Sequence, residues 1–329
     1  MLAAVGLPGG DRGPTSISHV TAGGSPRGVE SANLHTDHET FWSRNQPGFR
    51  FARSEQGTAE FFAEVERHRY TAEPHILEVV PFSSWTGKEV LEVGCGIATD
   101  GVRFARAGAR YAGIDASADA LELARRRFAL EGLDAALVRA SATELPFPDD
   151  SFDLVYSHGV LHHLEETEVA VRELHRVLRP GGTALVMLYH RTSLNYLVTI
   201  MGLRRALAAL LLVPGASRLI AKLTSEQHWV LEGHRALLRV YGLRYVTDSS
   251  LFLSHNTDGP GNSLSKVYSQ AQARSLFQRF RDVQTEVRFL NLRLYPGLRR
   301  LDRSRLADTL GARMGWHLYV EARKAPRSS

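Results

Sequence analysis

The chain has 329 residues, 43% of them hydrophobic, with a formal charge of +5 and a pI of about 9.5. That length allows one large or two small domains with a substantial core, and it leaves a soluble globular enzyme as the default reading. A basic pI raises nucleic acid or an anionic membrane as a partner, but the charge is nearly all arginine, spread along helical segments, with lysine only at Lys88, Lys222, Lys266 and Lys324, so a polyanion partner is disfavoured.

The opening MLAAVGLPGG lacks a positively charged start and breaks its apolar run at Gly6 and Pro8, which is not the pattern of a signal peptide. Its Gly, Ser and Pro-rich composition continues to about Val29 and cannot bury enough surface to offset chain entropy, so residues 1–38 are expected to form a disordered leader. From Phe41 the character changes. Aromatic residues and a helical apolar pattern through Phe61, Phe62, Val65 and Tyr70 predict a helical lead-in or cap over 39–84.

Apolar runs at 89–93, 111–114, 135–138, 153–156 and 183–189 then alternate with helical stretches at about 98–107, 118–131 and 166–178. Such alternation predicts five parallel strands wrapped by helices, forming a core over 85–191. Ser117 is a good N-cap, and Asp119 suits the positive end of the following helix. Arg179-Pro180-Gly181-Gly182 is expected to end the helix before the fifth strand. The alternation stops over 192–268, which is expected to be a substrate-side insertion or lid. Within it, LNYLVTIMGLRRALAALLLVPG holds about twenty mostly apolar residues, the length of a membrane span, but Arg204 and Arg205 interrupt it. A buried or amphipathic lid helix is the favoured alternative, with contact to a membrane surface or a lipid-like substrate left open. Residues 269–329 supply a helix around Leu276, Phe277 and Phe280 and two late strands, at 283–291 and 316–323.

The chemistry concentrates at VLEVGCG. An apolar run carries the acid Glu92 into Gly94-Cys95-Gly96, and a second acid, Asp115, closes the run YAGID 21 positions after Gly94. Strand, glycine turn, helix, strand and acid in that order build an adenosine-binding crevice. The third glycine of a dinucleotide fingerprint would fall at Thr99, and a carboxylate at Glu92 repels a pyrophosphate while attracting an ammonium or sulfonium. The ligand expected on these grounds is an adenosine carrying positive charge. Taken singly, Gly94 and Gly96 also fit an ordinary strand-to-helix turn, Asp115 a capping acid, and Glu92 a paired core acid. His158 and His162 have helical ligand spacing, but no Cys or acid at matching spacing supports them, so no metal site is expected. The single cysteine, Cys95, sits in the glycine turn, which excludes an intrachain disulfide and fits a reducing, cytoplasmic compartment.

In these motifs, followed by ATELPFPDDSFDLVYSHGVLHHL and ELHRVLRPGGTALV, the chain resembles the class I S-adenosylmethionine-dependent methyltransferases over about residues 85–190, and within them the ubiquinone and menaquinone biosynthesis methyltransferase-like (type 11) group. The resemblance implies an α/β fold with a Rossmann-like, seven-stranded, mostly parallel sheet and an antiparallel last strand, and S-adenosyl-L-methionine as cofactor. It places Glu92, Gly94, Cys95 and Gly96 along the methionine portion, Asp115 on the ribose hydroxyls and Ala116 on adenine. Ser141 stands where the family often has Asp at the adenine edge, beside Ala142; Ser157 and His158 would flank the reacting methyl group. If the nucleophile needs a general base, the candidates at strand ends are His162, His163, Tyr189 and His190, with Asp258 from the later loop. In this family the lead-in and the insertion hold the acceptor. Phe41, Trp42, Phe49, Phe51, Phe61, Phe62 and Tyr70 suggest an enclosed apolar pocket for a small or medium-sized organic acceptor, a specialised metabolite or quinone-like compound. An RNA methyltransferase and a non-catalytic cofactor-binding partner protein remain as rivals, the former lacking an Asn-Pro-Pro-Tyr or Asp-Pro-Pro-Tyr motif.

Overall fold

The structure is a computed structural model that describes residues 41–43, 45–213, 216–217, 220, 228–292, 295, 298 and 305–327. The leader expected over 1–38 lies outside them. Helix α1 (Ala59–Ala72) precedes the sheet, capped by Thr58, whose hydroxyl accepts from the Phe61 amide, and it buries Phe61, Phe62 and Val65. The core follows as β1 (Glu89–Val93), α2 (Gly101–Arg106), β2 (Arg110–Asp115), α3 (Ala118–Glu131), β3 (Ala136–Arg139), β4 (Phe152–His158), α4 (Thr167–Val177) and β5 (Leu178–Tyr189). After it come α5 (Asn195–Arg204, π-helical, continuing as Arg205–Leu210), α6 (His228–Tyr241), α7 (Ser249–Thr257), α8 (Gln270–Leu276), β6 (Arg281–Arg288), α9 (Arg305–Met314) and β7 (His317–Arg323).

All seven strands form one sheet in the order β3-β2-β1-β4-β5-β7-β6. Strands β1 to β5 pair in parallel, and β7 runs antiparallel to both β5 and β6. The sheet is built from runs that are apolar on both faces. Val90, Leu154, Leu185 and Met187 pack into one buried cluster, while their neighbours Leu91, Val155, Ala184 and Val186 pack into the other. Period-two alternation sends successive side chains to opposite faces, and helices cover both. The strand order reverses between β1 and β4, so the crevice of this sheet opens at the carboxyl ends of those two strands.

Several boundaries differ from the pattern reading for local reasons. The helix expected from residue 98 begins at Gly101, because Ala98 takes a positive φ of 55° in the turn before it. Arg179-Pro180-Gly181-Gly182 lies inside β5 rather than before it: Leu178 pairs with Phe152, and pairing resumes at Thr183 with Leu154 across a bulge. Strand β6 stops at Arg288, ahead of Phe289 with φ 70°. Arg204 and Arg205, which interrupt the apolar insertion, tie α5 to α7: Arg204 donates to the Asn256 carbonyl at 2.7 Å, and the Arg205 guanidinium stacks over Phe252 at 5.2 Å. Among the described residues no helix is long and apolar enough to cross a membrane.

The lead-in helix is fastened to the core by charge. Arg127 of α3 is 1% exposed, and its guanidinium donates to Glu66 of α1 at 2.6 Å and to the Thr99 hydroxyl at 3.1 Å. Arg106 meets the same carboxylate at 2.8 Å.

Candidate active site

A cavity of about 930 Å³ lies at the carboxyl end of the parallel strands. The order of the sheet sets out its wall, from Asp115 on β2, through Glu92 on β1 and His158 on β4, to Tyr189 on β5 and His317 on β7. The lead-in lies across it with Trp42, Gln46, Phe49 and Phe51.

The glycine turn is shaped by contact. Gly94 has φ 77°, and a Cβ there would come within 2.3 Å of a Val160 methyl. Both Gly94 and Cys95 donate their amides to the Ile114 carbonyl, at 2.8 and 2.9 Å. Asp115 holds the other end, accepting from the Gly96 amide at 2.8 Å and the Ser117 amide at 2.9 Å. A carboxylate oxygen can accept more than one hydrogen bond, as a sugar hydroxyl would require. Ser117 caps α3, as its position suggests, by accepting from the Ala120 amide.

Glu92 is 4% exposed and accepts a hydrogen bond from the Tyr111 hydroxyl at 2.5 Å. Burial, reinforced by the nearby charge of Asp100, pushes its carboxyl well above the ordinary range. Asp100 itself gave no signal by spacing, yet it is held by three side chains, accepting from Arg69 at 2.8 Å, Tyr70 at 2.7 Å and Tyr156 at 2.8 Å. Burial pushes its carboxyl up, but the charge and hydrogen bonds of Arg69 and the two tyrosines outweigh that and hold it below the ordinary value. Cys95 is buried, and burial raises its thiol far from the reactive range.

Ala116, Ser141, Ala142 and His158 line the cavity with these groups. The Ser141 hydroxyl is engaged locally, with Thr143 at 2.7 Å. Ser157 does not line the cavity: it is fully buried and donates to the Val93 carbonyl at 2.9 Å, because alternation along β4 turns it away from the face that His158 presents. Of the base candidates, His163, Tyr189 and Asp258 do line the cavity and stand together. His163 Nδ1 meets the Leu264 carbonyl at 2.8 Å, its Nε2 lies 3.5 Å from Asp258, and the Tyr189 hydroxyl donates to Asp258 at 3.1 Å. Burial lowers the pKa of His163, with Asp258 and the Leu264 bond opposing it in part, and burial with Asp258 raises Tyr189 well above its ordinary value. His162 and His190 lie outside the wall. His162 is fully buried, with its ring centroid 3.7 Å from that of Tyr189 at a tilt of 34°. His190 has both nitrogens engaged, one with the Gly315 carbonyl at 3.0 Å and one with Thr192 at 2.9 Å.

Residues 91–186 match the family described as a methyltransferase domain. This segment is a methyltransferase domain. The fatty-acid O-methyltransferase of Mycolicibacterium smegmatis is 42% identical over 98 residues, which is 29% of this chain and 35% of that protein. The demethylmenaquinone methyltransferase of Clavibacter sepedonicus is 40% identical over 101 residues, 30% of this chain and 40% of that one. The likeness therefore spans well under half of these relatives' length. Among solved structures, an S-adenosylmethionine-dependent methyltransferase from Mesorhizobium loti superposes with a TM-score of 0.44 at 18% identity, over 76% of this chain and 96% of that one. The cofactor of the methyltransferase domain is S-adenosyl-L-methionine, and the residues present fit it: an acid-pinned turn that excludes a Cβ, with a buried carboxyl beside it able to face a cation.

Proposed function

We propose that the chain transfers the methyl group of S-adenosyl-L-methionine to a small or medium-sized, partly apolar organic acceptor. The observation that carries this is the continuity of one cavity, from the glycine turn and Glu92 to an apolar wall of Trp42, Phe49, Leu290 and Trp316. The names of the two relatives, one acting on a fatty acid and one on demethylmenaquinone, support an acceptor with lipid-like or quinone-like character.

When bound, the cofactor supplies a methyl group attached to a positively charged sulfur. Asp115 binds its sugar, and Glu92 faces its cationic end. The lead-in closes over the crevice, Ser43 reaching the Ser117 hydroxyl at 2.9 Å, and so excludes water. Holding donor and acceptor in line can supply about 7–11 kcal/mol of barrier lowering. His163 is the proton acceptor we assign when the acceptor is a hydroxyl. A carbonyl oxygen cannot donate, so the Leu264 contact places the imidazole proton on Nδ1 and makes Nε2 the basic nitrogen, beside an Asp258 carboxylate that stabilises the imidazolium. His163→Gln is expected to lower turnover by about 10²–10⁴-fold while donor affinity stays within a few-fold, as read by steady-state kinetics beside calorimetry.

Donor affinity should depend on pH. Because the Glu92 pKa is raised, the carboxyl is protonated and uncharged on the acid side and offers nothing to a cation. Affinity is expected to rise as pH increases through that raised pKa, and Glu92→Gln should flatten the profile.

Incubation of the purified chain with donor and a cell extract tests the activity. S-adenosylhomocysteine release, with one extract compound gaining one methyl group by mass spectrometry, is the expected result. A chain that binds donor yet releases no product with any extract contradicts the proposal.

A further inference from the structure

We propose that Glu73, His158 and His317 form a binding site for one divalent transition-metal ion in the wall of the cavity. They arrive from three elements: Glu73 ends α1, His158 ends β4 and His317 begins β7. Their candidate ligand atoms all lie within 4.8 Å of one another. Two imidazoles and one carboxylate on an open cavity are the donor set of metal sites that keep positions for water or substrate. The histidine spacing along β4 and the turn after it does not build this site; His162 lies outside the wall.

Two further observations point to a cation here. Glu73 Oε2 is buried without a hydrogen-bond partner. Arg69, bonded to Asp100, meets Glu73 only as a long ion pair at 3.9 Å and gives Oε2 no hydrogen bond. Each imidazole also has one nitrogen in contact with a neighbouring side chain. His75 Nε2 lies 3.0 Å from His317 Nδ1, and the Tyr319 hydroxyl lies 3.0 Å from His158 Nε2. A ligating imidazole characteristically has its second nitrogen held in this way.

Zn²⁺ suits such a set, with borderline nitrogen donors and one carboxylate, and Co²⁺ reports on it by colour. Combined with methyl transfer, on which this step rests, the ion would hold an oxygen of the acceptor against the cavity wall and favour its ionised form. The acceptor class would then be one bearing a hydroxyl or carboxylate.

The test is titration of the full-length, metal-free chain with Co²⁺, followed by competition with Zn²⁺. One equivalent with visible ligand-field bands, displaced by one equivalent of Zn²⁺, is expected. Glu73→Ala and His317→Gln should each weaken Co²⁺ by more than the roughly 10–100-fold that loss of an outer-shell partner costs. Thermal melting and S-adenosylhomocysteine affinity, measured on the same samples, establish that each variant is folded and separate a failure here from a failure of methyl transfer. Absence of stoichiometric Co²⁺ uptake by the folded wild-type chain overturns the site. So does uptake that neither substitution changes.

Discussion

Gly94→Ala is expected to weaken donor binding by on the order of 100-fold or more, measured by calorimetry against the wild-type chain. A side chain at that position meets two obstacles. Its φ of 77° strains any residue with a Cβ, at a cost of about 1–3 kcal/mol. The new carbon also falls 2.3, 2.7 and 2.9 Å from three atoms of Val160, which itself lines the cavity. The turn cannot slide away without breaking the Gly94 and Cys95 hydrogen bonds to Ile114. Relief therefore displaces the amide groups and Glu92, so the damage appears as lost affinity. Gly132→Ala is the control. Gly132 has φ 63° at the end of α3 with nothing within 4 Å of an added Cβ, so it should cost about 1 kcal/mol of stability and leave donor affinity unchanged.

Glu66→Ala is expected to destabilise the fold by about 3–5 kcal/mol in urea denaturation. Its carboxylate is the close partner of Arg127, which is 1% exposed; without it the guanidinium keeps the Thr99 hydroxyl at 3.1 Å, Glu131 at 3.8 Å and the face of the Phe62 ring at 5.4 Å. A buried charge left this way carries most of its desolvation penalty. Against a total of about 5–15 kcal/mol for a typical domain, the loss is large. The same helix brings Arg69 and Tyr70 to Asp100, so loosening it also opens the cavity wall. By contrast Glu122, whose pair with Arg125 is exposed, should be replaceable by alanine with no measurable change.

These results follow from features of unequal visibility in the sequence. The positions of the strands along the chain and the glycine turn were legible because parallel strands buried on both faces read as continuous apolar runs, and because Gly94 and Asp115 serve one local unit with a fixed chain separation. Alternation was less well read. Ser157 and His158 are neighbours with opposite fates, one bonded inside the sheet and the other on the cavity wall. His190 sits at a strand end like Tyr189, yet the Gly315 carbonyl and Thr192 engage it, and neither contact follows from local pattern. Clusters assembled across the sheet were invisible. Asp100 finds Arg69 on the lead-in helix, and His158 meets Glu73 and His317 only because β4 and β7 flank β5. The insertion was legible as an interruption of the alternation, while the inward turn of Arg204 and Arg205 toward α7 depended on a partner that composition does not name.

In the proposed function Glu92 and Asp115 together seat a positively charged adenosine derivative at the switch point of the sheet. Calorimetric titration of the purified full-length chain with S-adenosyl-L-methionine measures it most directly. Saturable binding of one equivalent, competitive with S-adenosylhomocysteine and lost in Asp115→Ala, is the predicted result. A folded chain with no measurable affinity for either compound would contradict it.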